Sequence, residues 1–171
     1  MKGYPFLLLV SILIIIPFYS FDTALSENHK YFTPLTGMEE VPPVNTNGTG
    51  IALFDLLDNH INFKVNVTML KNIQSAQIYR GEFGQNGEII ISLLNSSSPI
   101  DVHNGTLVKG QLTAKDLVGS LKGKTINELV QLFNNTKAYL NIHTEQYPNG
   151  EIRGQITTVN TTNWLKQLKV T

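Results

Sequence analysis

Along residues 138–156, AYLNIHTEQYPNGEIRGQI, apolar and polar positions alternate: Ala138, Leu140 and Ile142 are interleaved with Tyr139, Asn141 and His143. A period of two is that of a strand with one face buried. The pattern predicts an apolar face in the core and an opposite face displaying a phenol, an amide and an imidazole. Tyr147-Pro148-Asn149-Gly150 supplies a reversal, because Pro restricts φ and Gly accepts positive φ. The returning arm sends Ile152 and Ile156 inward and Arg153 and Gln155 outward. Gly154 falls in an inward slot, where a missing side chain lets another backbone or ring approach closely.

The same period recurs along the chain. Residues 51–57 and 61–69, joined by Asp58-Asn59, predict a hairpin whose second arm points Ile61, Phe63, Val65, Val67 and Met69 inward. Residues 76–79 alternate and take 88–94 as a candidate partner, and 105–112 read as a further strand. Residues 30–35 predict a first strand that Pro34 breaks or confines to an edge. Residues 36–50 and 95–104, rich in Asn, Ser, Thr, Pro and Gly, read as loops. The predicted core is Phe54, Ile61, Phe63, Val65, Val67, Ile78, Ile90, Leu140, Ile142, Ile152 and Ile156. One helix interrupts the strands: Thr125 and Glu128 make a capping pattern ahead of Ile126, Leu129, Val130 and Phe133, and an earlier turn starts at Thr113. These runs predict a mainly β fold, an antiparallel β-sandwich of seven to nine short strands with one short helix in a crossover.

Composition sets the address and narrows the chemistry. Residues 1–26 place Lys2 before an apolar run from Phe6 to Ile16 that Pro17 ends, the outline of a signal peptide. That run is shorter than the roughly 20 residues a membrane span needs. Ala24 and Ser26 suit a cut before Glu27; the alternative is an uncleaved N-terminal anchor extended through Phe18, Tyr19 and Phe21. Either places the domain, residues 27–158, and its tail, residues 159–171, outside the cytoplasm, secreted or at the cell surface. A membrane enters only through an uncleaved N-terminal segment. Asn-x-Ser/Thr sequons at Asn47, Asn66, Asn95, Asn104, Asn134 and Asn160 fit an extracytoplasmic glycoprotein. With 13 charges of each sign and no long run of either, the chain has no nucleic-acid footprint. It has no cysteine, which removes thiol catalysis and Cys-ligated zinc.

Other site chemistry is sparse. Residues 81–87 are glycine-punctuated but lack the spacing, lysine and following helix of a phosphate-binding loop. No serine sits in a nucleophile-elbow context. Glu39, Glu40, Glu82 and Glu145 lie in predicted loops. Glu151 and Arg153 are explained by cross-strand pairing or by hydrogen bonds to loop carbonyls.

Five ordered segments resemble the CHRD family, the domain named after chordin: FTPLTGMEEVPP from Phe32, TGIALF from Thr49, AQIYRG from Ala76, LTAKDL from Leu112, and residues 138–155. The resemblance implies a secreted, antiparallel β domain, immunoglobulin-like or Cu/Zn superoxide dismutase-like in architecture. It brings no settled activity. Family members commonly carry Ala-His-Ile-His where this chain has Ala76-Gln77-Ile78-Tyr79, so two histidines are replaced while His143 remains. The expectation is a binding or structural module whose partner is an extracellular protein or glycan, without a catalytic site or cofactor. Gln77, Tyr79, His143 and Arg153 are expected to converge in a polar cluster at the family's histidine positions. The alternative is a copper- or zinc-binding redox enzyme with a degenerate site, for which His143 is the candidate ligand.

Overall fold

The structure is a computed structural model that describes residues 30–158. The signal segment and the tail, with Trp164 and the sequon at Asn160, lie outside the described residues. Seven strands and one α-helix follow in order: β1 (Lys30–Thr36), β2 (Thr49–Leu57), β3 (His60–Arg80), β4 (Glu88–Leu112), α1 (Ile126–Asn134), β5 (Ala138–Thr144), β6 (Ile152–Gln155) and β7 (Thr157–Thr158). All pairings are antiparallel.

The strands form one sheet in the order β2-β1-β6-β5-β3-β4, and a further pairing of β2 with β3 closes the path on itself. The fold is therefore mainly β with one helix, as the alternation predicts, but its ladder is a single barrel-like circuit. The reason lies in β3. At 21 residues it is long enough to pair its first half with β2 and its second half with β5 while β4 follows it throughout. Met69 and Asn72, both at positive φ, bend it between the halves, and the bend turns Met69, expected to point inward, out to solvent. Each such residue is an uncommon conformation that turns the strand.

Those bends explain two corrections to the sequence reading. The inward residues Leu70 and Ile73 are three apart, so the period of two is lost and the stretch between the two predicted strands escapes detection. Residues 95–104, expected to be a loop, are strand within the 25-residue β4. That stretch is mostly exposed and pairs with β3 alone, and only Ile100 and Val102 pack against the core, too short a run to impose an apolar period.

All eleven predicted core residues are buried. Helix α1 lies in the β4-to-β5 crossover, as its capping pattern predicts; Thr125 N–H and Oγ1 both donate to the Glu128 carboxylate. Its Phe133 packs edge-on against Tyr31, at 5.1 Å between ring centroids, and against Phe54 at 5.5 Å. The turn expected at Thr113 is one 3-10 turn, Ala114–Asp116, whose Asp116 accepts from Thr113 N–H at 2.8 Å. Gly154 does what its inward slot suggests: a Cβ there would lie 1.9 Å from the Pro34 carbonyl oxygen. Pro34 itself sits inside β1, paired opposite Ile51 of β2, where the β6 side of β1 has only the Thr36–Arg153 pair.

Candidate functional site

Every residue of β5 and β6 is buried. The alternation sorts their side chains into two faces, but the polar face, expected to be displayed, is covered as well. The cover is two loops, residues 37–48 and 81–87, together with the turn at 145–150.

Register assembles the polar face. Tyr79 of β3 lies opposite Tyr139 of β5, Gln77 opposite Asn141, and Asn141 in turn opposite Arg153 of β6. The Tyr79 and Tyr139 rings stack with centroids 5.1 Å apart and planes 6° from parallel. The Arg153 guanidinium lies 3.5 Å from the Tyr139 ring centroid, a cation–π contact. Tyr79 Oη is 2.8 Å from Gln77 Oε1 and 2.9 Å from His143 Nε2. Gln77, Tyr79 and His143 thus meet at one hydroxyl, and Arg153 joins them through the Tyr139 ring.

Proton counting defines the cluster further. His143 Nδ1 lies 3.0 Å from the Pro148 carbonyl oxygen, which only accepts, so Nδ1 carries a proton. Burial holds the imidazole pKa below its ordinary value, partly offset by that carbonyl. The neutral ring then has Nε2 as an acceptor, so the Tyr79 hydroxyl, which donates to Gln77 Oε1, faces a second acceptor there. Burial and the nearby Tyr139 and Glu40 push the Tyr79 phenol up to about 12, so it stays protonated. Both His143 nitrogens are engaged, one on Pro148 and one on Tyr79.

The remaining polar groups hold the covering segments. Arg153 Nη1 donates to Asn86 Oδ1 at 3.0 Å, and Nη2 donates to the carbonyls of Gln85 and Glu82 at 2.8 and 3.3 Å. Gln155 Nε2 donates to the carbonyls of Gly81 and Thr136, both at 2.8 Å. Gly87 N–H donates to Tyr139 Oη at 3.1 Å, so the 81–87 loop is gripped at both ends. Glu151 accepts from Thr46 and Thr144 hydroxyls at 2.6 and 2.7 Å. Arg153 donates to loop carbonyls, one of the two roles expected for it.

Glu40 is 5% exposed. Its Oε2 accepts from Asn141 Nδ2 at 3.2 Å, while Glu40 Oε1 and Asn141 Oδ1 have no hydrogen-bond partner. Burial pushes this carboxyl up to about 7, against the pull of Arg153 and of the Asn141 bond. The sequence marked Glu40 only as a loop carboxylate, placed Asn141 and Gln155 on the polar faces without giving them a role in the cluster, and did not mark Thr46 or Thr144. A signal for Asn141 was available, since it alternates with His143 on one face; nothing local marks Thr46, whose partner is far along the chain.

Chemically the cluster binds loops. It contains a protonated phenol, a neutral imidazole with both nitrogens engaged, and an arginine whose donors go to loop oxygens. Among the described residues no three His, Asp or Glu side chains gather as a metal cage. Two cavities lie beside the cluster. One of about 270 Å³ is lined by Glu40, Pro42, Pro43, Tyr147 and Pro148, and one of about 630 Å³ by Asn47, Lys71, Asp101, His103 and Glu151.

A closed antiparallel sheet whose hairpin is apolar on one face and grips three connecting segments with the other defines a loop-presenting β domain. The CHRD domain model matches residues 31–156, and the chain belongs to that family. Comparison with curated proteins and with solved structures finds no match.

Proposed function

We propose that this CHRD domain is a non-enzymatic extracellular binding module, secreted or held at the cell surface, that presents the 37–48 and 81–87 loops to an extracellular protein or glycan. One observation carries the reading: Arg153, 2% exposed, spends its donors on holding loop 81–87. Burying a guanidinium is costly unless its donors are satisfied. Binding residues commonly sit on loops fixed by a rigid scaffold. The two loops are also tied to each other, as Asn86 Nδ2 donates to the Val41 carbonyl at 3.0 Å. Each exposes a large apolar side chain, Met38 at 73% and Phe83 at 61%. Exposed apolar groups on polar, fixed loops are what a contact surface uses.

The two-layered, sandwich-like reading of the closed sheet belongs to this proposal, with the bend of β3 as its corner. The copper- or zinc-dependent redox alternative rests on His143, whose two nitrogens already have partners in this cluster.

The test is retention on a panel of immobilised extracellular glycans and envelope proteins, comparing the native chain with a Met38→Asp, Phe83→Asp double variant. The native chain is retained by at least one member, and the variant loses that retention at least tenfold with an unchanged melting temperature. Equal retention by the folded variant contradicts the surface. Stoichiometric copper or zinc that survives dialysis of the purified protein favours the enzyme alternative.

A further inference from the structure

Three sequons lie on the β3–β4 pair, and two of them, at Asn66 and Asn104, face each other across it; the binding surface leaves both unused. In register Asn66 faces Thr106 and Thr68 faces Asn104. Thr106 Oγ1 donates to Asn66 Oδ1 at 2.9 Å, and Thr68 Oγ1 donates to Asn104 Oδ1 at 3.3 Å. Each sequon's hydroxyl is bonded to the other sequon's amide. A bulge creates the match. Val65 pairs with Val108 but Asn66 with Thr106, so Leu107 is the extra residue. Without that shift Asn66 would face Leu107, and Asn104 and Thr106 would point to the other side of the sheet. Thr49 of the Asn47 sequon lies opposite Thr68, which brings that sequon against the pair from the adjacent strand.

We propose that Asn66 and Asn104 form one coupled N-glycan acceptor, filled at Asn66 before β4 pairs with β3 and closed at Asn104 once it has. In the transfer, the bond between sugar C1 and the phosphate oxygen of a lipid-phosphate-linked oligosaccharide breaks. The C1–N bond to the asparagine Nδ2 forms, the amide gives up one proton, and the lipid phosphate departs. An enzyme that reads Asn-x-Thr must take hold of the amide and hydroxyl of one tripeptide. Pairing ties both to the opposite strand, so it competes with modification. Asn66 leaves the ribosome before β4, which carries Thr106 and Asn104, exists and escapes this competition, whereas Asn104 arrives with β3 already available. A glycan on Asn66 Nδ2 leaves Oδ1 to accept from Thr106, so the modified strand still pairs.

The inference rests on the extracytoplasmic placement proposed above, and the test separates the two. The full chain is expressed behind a host secretion leader in a glycosylating eukaryotic cell, and occupancy is mapped site by site by mass spectrometry. Export then no longer depends on the native signal, and the exposed loop residue Asn47 reports transferase access. Asn66 occupancy exceeds that of Asn104 at least fivefold. Val108→Pro, which removes a β4 backbone donor and slows pairing, raises Asn104 occupancy severalfold in the exported protein. Equal occupancy of the two sites in the native chain overturns the inference, as does Asn66 left bare in the exported chain. So does an abundance of doubly modified molecules equal to the product of the single occupancies. If Val108→Pro is not exported, the ratio in the native chain decides alone.

Discussion

The β5–β6 hairpin and the middle of β4 are both antiparallel strand, yet the first is buried on every residue and the second is open to solvent on most. Their sequences show the difference in burial without showing the likeness in backbone. In the hairpin, Ala138, Leu140 and Ile142 face the barrel interior, while Tyr139, Asn141 and His143 carry the polar layer beneath the loops. In β4, residues 95–104 are held by hydrogen bonds to β3 and by the partial burial of Ile100 and Val102. A periodic pattern therefore reports burial, and strand formation only where burial accompanies it.

The largest effect that sharpens this contrast is a cavity. Leu140→Ala removes a fully buried side chain and is expected to cost about 2 to 5 kcal/mol in denaturant unfolding. Ser97→Ala, on exposed β4, is expected to change stability by less than about 0.5 kcal/mol. Equal costs would mean that the two strands do not differ as described.

Next in size is the pH dependence of the polar layer. The Glu40 carboxyl is raised to about 7, above its unfolded value, so the folded state binds its proton more tightly. Its contribution is complete below the unfolded pKa and is lost as pH rises toward 7. The effect is on the order of 1 to 3 kcal/mol. His143, whose pKa is lowered, acts oppositely and contributes stability that is lost as pH falls below its ordinary value. Unfolding curves across pH 4 to 8 are expected to lose the Glu40 slope in Glu40→Gln while keeping that of His143. An unchanged slope would show that Glu40 titrates normally.

The smallest perturbation adds imidazoles. Gln77 and Tyr79 meet His143 at the Tyr79 hydroxyl. Gln77→His combined with Tyr79→His is therefore expected to raise zinc affinity at least tenfold by calorimetry. A folded double variant without that gain would show that the three positions do not converge as a ligand set.

The strand pattern made the core legible because a single buried face imposes a period of two. It left β3 in two pieces because Met69 and Asn72 break the period, and it missed residues 95–104 because Ile100 and Val102 are the only apolar pair in a run of polar residues, too short to show a period. For the site, spacing put Gln77 with Tyr79 and Arg153 with Gln155 on common faces. The contacts of Glu40 with Asn141 and of Thr46 with Glu151 join residues about a hundred positions apart, beyond the reach of local pattern. Alternation also could not show that the polar face is roofed, because the roof is supplied by loops whose own sequences have no period.

The central claim is that the polar face of the hairpin holds the 81–87 loop in place, and amide hydrogen exchange at Gly87 tests it most directly. Gly87 N–H donates to Tyr139 Oη, and Arg153 secures the carbonyls of Glu82 and Gln85 in the same loop. Lysine retains the charge of Arg153 but loses its planar fork. In Arg153→Lys, Gly87 is expected to exchange at least tenfold faster than in the native chain while Leu140 in β5 keeps its protection. Native protection at Gly87 in the folded variant would contradict the account.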